Sequence, residues 1–149
     1  MKDAFCSREA LLTIFHETKQ FMLVYDKRPI VRGHMLIIPK RHVEDIIDLN
    51  KAEWEDLEQL KDKDLPLALS RYCKEARSYN MAIQIGEYSG REIDHLHMHI
   101  IPRTAEDTFK EDSGKLYSNI VDRQAGDKSG VEEEVTALRK LFKYKPERQ

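Results

Sequence analysis

Short apolar segments separated by glycine or proline recur along the first two thirds of the chain. Each is rich in Ile, Leu, Val, Phe and Met, a composition typical of β-strands bounded by turns. The segments are 11–18, 20–26, 34–40, 80–87 and 95–103. The first three follow one another through short connections, which favours an antiparallel meander. The pattern therefore predicts an antiparallel sheet of about five strands, with His16 as a surface residue at the end of the first strand.

The stretch between the third and fourth strands has a helical pattern. Asn50 is placed to cap the helix, and Glu53 occupies the capping-box position three residues later. The apolar positions Trp54, Leu57 and Leu60 fall on one predicted face. Pro66 either kinks this helix or starts a second one. The inward residues of that second helix would be Leu69, Tyr72, Cys73 and Ala76.

A further amphipathic helix is predicted from about Ser129, with acidic residues in its first turns and basic residues near its end. Its apolar stripe is Val131, Val135, Leu138 and Phe142. The preceding segment 104–128 is polar and too long for an ordinary loop, so we expect a mobile flap or partial disorder. The fold class predicted is α+β, an antiparallel sheet with helices packed on it.

Composition narrows the function classes. A length of 149 residues suits one domain. The 25 basic residues nearly cancel the 27 acidic ones, so no overall field attracts nucleic acid or an anionic membrane, and neither is expected as a partner. The two cysteines, Cys6 and Cys73, indicate neither a disulfide framework nor a cysteine zinc site. No leader or membrane span is recognisable, and we expect a cytoplasmic protein.

Three histidines, His95, His97 and His99, alternate with apolar residues. Side chains in a strand alternate between faces, so the three imidazoles should share one face and Leu96, Met98 and Ile100 the other. An ordinary polar face would carry Lys, Glu or Thr instead. Zinc could bind two of the imidazoles, although the outer two lie too far apart to reach one ion easily. The row suits an extended polyanion better, because imidazole serves both as nucleophile and as phosphate-binding cation.

Other residues offer a second wall for such a substrate. Asp26 ends one strand, where its carboxylate could accept hydrogen bonds from a ribose diol or simply start a turn. His34 follows Gly33 at the start of the next strand. The segment 86–92, including Arg91 and Glu92, could bring backbone N–H groups to phosphate or be an ordinary turn. It lacks the lysine and spacing of a P-loop.

The run from His95 to Ile101 resembles the His-φ-His-φ-His-φ-φ signature of the histidine triad (HIT) superfamily of nucleotide hydrolases and transferases. The segments "RPIVRGHMLIIPKRHVEDIIDL" and "IQIGEYSGREIDHLHMHIIPR" are similar to that family's Gly-His strand and its lead-in to the triad. The resemblance covers roughly 10–103, and the loop and helix of 104–149 look like the fragile histidine triad branch. It implies a single HIT domain over 1–149.

The resemblance also implies roles. His97 would attack an α-phosphorus, and His95, His99 and His34 would orient it, bind phosphate and transfer protons. Asp26 and Gln84 match ribose and phosphate contacts, and we add Arg91 and Glu92 as candidate substrate-binding residues. The fragile branch usually carries an amide where Asp26 stands. No metal is expected in the site, and no cofactor beyond a divalent cation arriving with a polyphosphate.

We therefore expect a homodimeric hydrolase that cleaves dinucleoside polyphosphates or related nucleotide conjugates and releases a nucleoside monophosphate. His99 stands where transferase branches of the family carry Gln, which favours hydrolysis over transfer. Three alternatives stay open: a nucleoside phosphoramidase, a nucleotide-binding signalling module with slow turnover, and a zinc hydrolase. If the 104–128 segment closes over substrate, Lys115 and Tyr117 are the residues of interest; a solvated loop is the default.

Overall fold

The computed structural model describes residues 5, 12–74, 77–107, 115, 116, 118, 120 and 129–146. Its centre is one antiparallel sheet of five strands in the order β1-β2-β3-β5-β4. The strands are β1 (Ile14–Glu17), β2 (Phe21–Tyr25), β3 (Met35–Pro39), β4 (Tyr79–Ile83) and β5 (Met98–Pro102). Both the strand number and the antiparallel pairing predicted from the apolar segments are confirmed.

The central strands are buried on both faces. Every residue of β2, β3 and β5 is buried, whereas β4 at the edge is half exposed. This explains why these strands read as continuous apolar runs, because neither face of the strand is left to water. The sheet thus has two covered faces, one of which carries the histidines.

Helices cover the opposite face. They are α1 (Lys51–Gln59), α2 (Leu65–Ser70) and α3 (Val131–Phe142), and a π-helical turn, Leu60–Asp64, joins the first two. The predicted capping box is present: the Asn50 side chain accepts from the Glu53 backbone N–H, and the Glu53 carboxylate accepts from the Asn50 N–H, both at 2.9 Å. Arg41 also donates to Glu53 at 2.7 Å, which compensates the burial of that carboxylate.

The main core lies between the helices and this face of the sheet. Leu60 from the π-helical turn, Leu69 from α2 and Leu138 from α3 pack against strand residues such as Met98 and Ile100. The predicted stripe of α3 is confirmed, since Val135 and Leu138 are buried and Val131 and Phe142 pack against the same core. Pro66 lies in the first turn of α2, directly after the π-helical turn, where a proline is compatible with the helix. Of the two predicted alternatives, it therefore starts a second helix.

Two expectations about single side chains are wrong. Trp54 does not share the buried face of Leu60: its side chain is 47% exposed, since two steps of three residues along a helix rotate a side chain by about 120°. His16 is not a plain surface residue at the end of β1. Its Nε2 lies 3.2 Å from Asp64 Oδ1, and burial lowers the pKa of His16 despite that carboxylate.

The segment after β5 also differs from a solvated loop where it is described. Leu116 and Ile120 are buried, and they pack against Ile101. Apolar side chains at positions four residues apart, both helical, therefore cover part of the sheet. Lys115 is exposed, and its carbonyl accepts from the Ser118 hydroxyl; Tyr117, Ala76 and Cys6 lie outside the described residues.

None of the described helices combines the length and the apolarity that crossing a bilayer would demand.

Gly33 is the backbone position on which the turn into β3 depends. Its φ is +95°, and an added Cβ would lie 2.7 Å from Cγ of Tyr72 and 3.0 Å from Cγ of Pro102. Its N–H donates to the Tyr25 hydroxyl at 2.9 Å. A side chain here is excluded by both the conformation and the space, so the glycine fixes the turn that places His34 directly before the central strand β3.

We expect Gly33→Ala to lower the free energy of unfolding by roughly 2–4 kcal/mol, because left-handed strain and overpacking add. Gly130→Ala is the matched control, since φ is +79° but no atom lies within 4 Å of the added Cβ. Gly130→Ala should lower the free energy of unfolding by roughly 1–2 kcal/mol, because only the backbone strain contributes. Urea unfolding of both variants measures the difference; equal losses would show that Tyr72 and Pro102 yield to the methyl group.

Candidate active site

Strand register gathers the polar residues on the face of the sheet opposite the helices. Leu36 of β3 pairs with His99 of β5, which in turn pairs with Ala82 of β4. Residues two positions along a strand share a face, so His34 falls on the same face as His99. Continuing the pairing beyond the strand ends sets Asp26 opposite His34, and the Asp26 N–H does donate to the His34 carbonyl at 2.9 Å.

The three triad histidines are buried, and the last of them lies in the strand. His99 belongs to β5, whereas His95 and His97 precede its first residue, Met98. The strand is therefore shorter than the predicted 95–103. The N–H of Leu96 donates to the Val43 carbonyl at 2.7 Å, so the segment is fixed by a loop rather than by a neighbouring strand. Leu96 still packs away from the imidazoles, against Val43 and Leu49.

His34 and His99 form a hydrogen-bonded pair whose proton positions the backbone determines. The N–H of Ile30 donates to Nδ1 of His34 at 3.2 Å, so that nitrogen holds a lone pair. The proton of the neutral ring is then on Nε2, which lies 2.9 Å from Nδ1 of His99 and 3.5 Å from a carboxylate oxygen of Asp26. His34 therefore donates to His99, and Asp26 lies beside the same N–H.

His97 has the opposite tautomer. Its Nδ1 lies 2.7 Å from the backbone carbonyl of His95, and because a carbonyl only accepts, Nδ1 carries the proton. The lone pair of neutral His97 is consequently on Nε2. Its ring meets that of His99 edge to face, with centroids 5.1 Å apart. His95 is held in its turn, since its Nε2 donates to the Pro39 carbonyl at 2.8 Å.

A cavity of about 190 Å³ opens beside His97. Among its polar lining residues are Asp26 and Gln84, both at least nine-tenths buried. The Gln84 amide donates to the Ser89 carbonyl at 3.2 Å, which fixes the side chain against the loop that leads to the triad. Apolar lining comes from Phe5, Val24, Leu36, Ile93 and Ile120. The combination of apolar lining and a few fixed polar groups suits a nucleoside.

Burial also changes the pKa of Tyr25, which lines the cavity. It raises the pKa of the Tyr25 phenol, so the hydroxyl stays protonated at neutral pH while it accepts from Gly33.

An ion pair that the sequence did not reveal stands at this cavity. Arg28 and Glu92 both line it, and Nη2 of Arg28 lies 2.8 Å from Oε2 of Glu92. Arg91, a predicted substrate-binding residue, lies elsewhere. Its guanidinium contacts Glu44 at 3.0 Å and Asp94 at 3.1 Å, and the residue is not part of the cavity lining. No local signal in the sequence distinguishes these two arginines, since each is next to a charged residue in a polar loop.

Asp26, His34 and His99 are, within the described residues, a set of ligand atoms close enough for a metal ion, all within 4.8 Å of one another. The tautomer of His34 does not fit that role. A metal-bound Nε2 would force the proton onto Nδ1, where it would face the N–H of Ile30. The group is better described as a hydrogen-bonded chain.

The chain belongs to the HIT domain family, whose family model matches residues 7–106. This agrees with the five-stranded antiparallel sheet and the histidine row.

Relatives of known name resemble the chain over most or part of its length. A Dictyostelium discoideum protein named bis(5'-adenosyl)-triphosphatase is 31% identical over 130 residues, 87% of this chain and 85% of its own. A Saccharomyces cerevisiae protein of the same name is 37% identical over 91 residues, 60% of this chain, and the match spans only 43% of that protein. The crystal structure of a hypothetical histidine triad nucleotide-binding protein from Sulfolobus tokodaii superposes with a TM-score of 0.61 at 26% identity, covering 88% and 83% of the two chains.

We expect nuclear magnetic resonance of protein labelled with ¹⁵N-histidine to show opposite tautomers for His34 and His97. Nε2 of His34 and Nδ1 of His97 should carry the protons, because backbone groups fix both rings. Long-range ¹H–¹⁵N correlation spectra assign each nitrogen, with His97→Gln and His34→Gln identifying the signals. A protonated Nε2 on neutral His97 would remove the basis for its nucleophilic role.

Proposed function

We propose that the protein hydrolyses dinucleoside polyphosphates, or closely related nucleotide conjugates, at the α-phosphate through a covalent nucleotidyl-His97 intermediate. The observation that carries the proposal is the contact between Nδ1 of His97 and the His95 carbonyl, which leaves the lone pair on Nε2 beside a nucleoside-sized cavity. The names of the Dictyostelium and yeast relatives support the substrate class.

The reaction would proceed in two displacements. Nε2 of His97 attacks the α-phosphorus, an N–P bond forms, and the bond from that phosphorus to the bridging oxygen breaks. With a dinucleoside triphosphate the leaving group is a nucleoside diphosphate. Water then attacks the same phosphorus, the N–P bond breaks, and a nucleoside monophosphate and a proton are released. His97 returns to its neutral state with the proton still on Nδ1.

Hydrogen bonds around His97 match the charge that develops in these steps. Once Nε2 is phosphorylated, the ring is cationic, and the His95 carbonyl stabilises its Nδ1–H. His34 donates to Nδ1 of His99, so neutral His99 keeps its own proton on Nε2, the atom suited to donate to a phosphate oxygen. Gln84 and Asp26 line the cavity from opposite sides of the row and would contact phosphate and ribose respectively.

We also propose that the protein supplies no metal of its own. The tautomer of His34 supports this, and any divalent cation would enter with the polyphosphate. Activity on an adenosine phosphoramidate should then survive a chelator. Loss of that activity in chelator, restored by zinc, would favour the zinc hydrolase.

A homodimer is a further proposal, which the family resemblance implies. The edge strand β4 supports it, because Met81 is 51% exposed there. Light scattering with size-exclusion chromatography measures the mass in solution.

The nucleophile is tested with diadenosine triphosphate and intact-protein mass spectrometry. Unmodified protein should form a transient adenylyl adduct and release AMP, with ¹⁸O from labelled water appearing in the AMP phosphate. His97→Gly should abolish the adduct and lower kcat by at least about 1,000-fold, because the attacking atom is gone. His16→Gln is the matched control, an imidazole removed from the far side of the sheet.

Comparison of substrates separates the alternatives. Faster turnover of an adenosine phosphoramidate than of diadenosine triphosphate or tetraphosphate would favour the phosphoramidase. Turnover that is slow for all three, with tight binding, would favour a signalling module. Equal turnover in unmodified protein and His97→Gly would overturn the covalent mechanism.

A further inference from the structure

We propose that Arg28 recognises the anionic leaving group of the substrate. Until the substrate binds, the carboxylate of Glu92 occupies the place beside Arg28 that the leaving-group phosphates would take. The proposal rests on the proposed function and adds a determinant of substrate choice to it. Both side chains line the cavity that contains His97, and they contact each other at 2.8 Å.

The two residues come from different loops that line the cavity. Arg28 lies in the loop between β2 and β3, and its backbone N–H donates to Oδ1 of Asp26 at 2.9 Å. Glu92 lies in the loop that leads to the triad. Their ion pair therefore joins two loops that line the cavity, and the backbone of Arg28 is fixed by the buried carboxylate that we assign to ribose.

The contact with Glu92 uses only part of the hydrogen-bonding capacity of the Arg28 guanidinium. A guanidinium offers five N–H donors in a planar fork, and one contact, from Nη2 to Glu92, is present for Arg28 in the part of the chain that the structure describes. Phosphate oxygens match that fork better than a single carboxylate oxygen does. The Arg28 side chain is 39% exposed and that of Glu92 49%, and pairs this exposed are weak. A polyphosphate can thus displace Glu92 at little cost.

Charge gives Glu92 its proposed role. Among the described residues that line the cavity, Asp26 and Glu92 balance Lys27 and Arg28, so these side chains together provide no net charge that would attract an anion. When Glu92 moves away, Arg28 meets the phosphates of the departing half. Leaving groups with several negative charges, such as a nucleoside diphosphate, gain from this exchange. An uncharged leaving group, such as the ammonia of a phosphoramidate, gains nothing.

The test compares kcat/KM for diadenosine triphosphate and adenosine 5'-phosphoramidate. Glu92→Gln should raise the value for the triphosphate by about two- to five-fold, because the competing anion is gone. Arg28→Gln should lower it by about ten-fold or more. Relative to the value for the phosphoramidate, the value for the triphosphate should therefore rise in Glu92→Gln and fall in Arg28→Gln, and in the double variant the gain from Glu92→Gln should vanish.

Glu44→Gln is the matched control, because Glu44 also pairs with an arginine at 3.0 Å, is 51% exposed and does not line the cavity. It should leave the ratio of the two substrates unchanged. Equal changes for both substrates would overturn the proposal, as would a loss of triphosphate turnover in Glu92→Gln, which would make Glu92 a direct substrate contact.

A binding measurement keeps this inference separate from the proposed function. Calorimetry with inorganic tripolyphosphate needs no turnover and no nucleoside. Glu92→Gln should bind it more tightly and Arg28→Gln more weakly than unmodified protein. If the protein cleaves neither nucleotide but these shifts occur, the hydrolase proposal fails and the anion site stands. If cleavage proceeds through His97 and the shifts in tripolyphosphate affinity are absent, the hydrolase proposal stands and the anion site at Arg28 is refuted.

Discussion

The hydrogen bond from the backbone N–H of Ile30 to Nδ1 of His34 is the constraint on which the site depends. It fixes the proton of His34 on Nε2, and that proton in turn fixes the acceptor nitrogen of His99. Both rings are fully buried, where a misplaced proton would leave a donor facing a donor at high cost. The left-handed conformation of Gly33, packed on Tyr72, holds the turn that makes this contact. Backbone geometry thus sets imidazole chemistry before any substrate arrives.

Much of the fold was predictable because it follows from local periodicity. Apolar runs located all five strands, and the spacing of Asn50 and Glu53 located the start of α1. The errors share a physical origin in tertiary contacts. Leu116 and Ile120 lie in a polar stretch, yet they cover the sheet, and His16 is half-buried by its contact with Asp64 on the helical side. Neither contact has a signature within a short window of sequence.

The site was predictable to the extent that alternation along one strand implies a shared face. Alternation placed His97 and His99 together, but the partners of that row depend on strand register, which is a pairing between distant segments. Long side chains are harder still. Arg28 and Arg91 are alike in sequence terms, yet the first reaches the cavity and the second bonds to Glu44 and Asp94. An arginine side chain has four rotatable bonds, so the contacts of its guanidinium cannot be predicted until the positions of the loops are known.

The proposed function requires this chain to select an anion without being cationic overall. The net charge is −2, and the charges of the described cavity-lining residues sum to zero, so long-range attraction from these groups contributes little. In our proposal binding comes instead from short-range donors: imidazole N–H groups whose directions the backbone sets, and the Arg28 guanidinium once Glu92 has moved away. Such donors form hydrogen bonds with a correctly placed phosphate and not with a misplaced one. A site built in this way discriminates by geometry, which suits the reaction we propose, in which one phosphate linkage among several similar ones is cut.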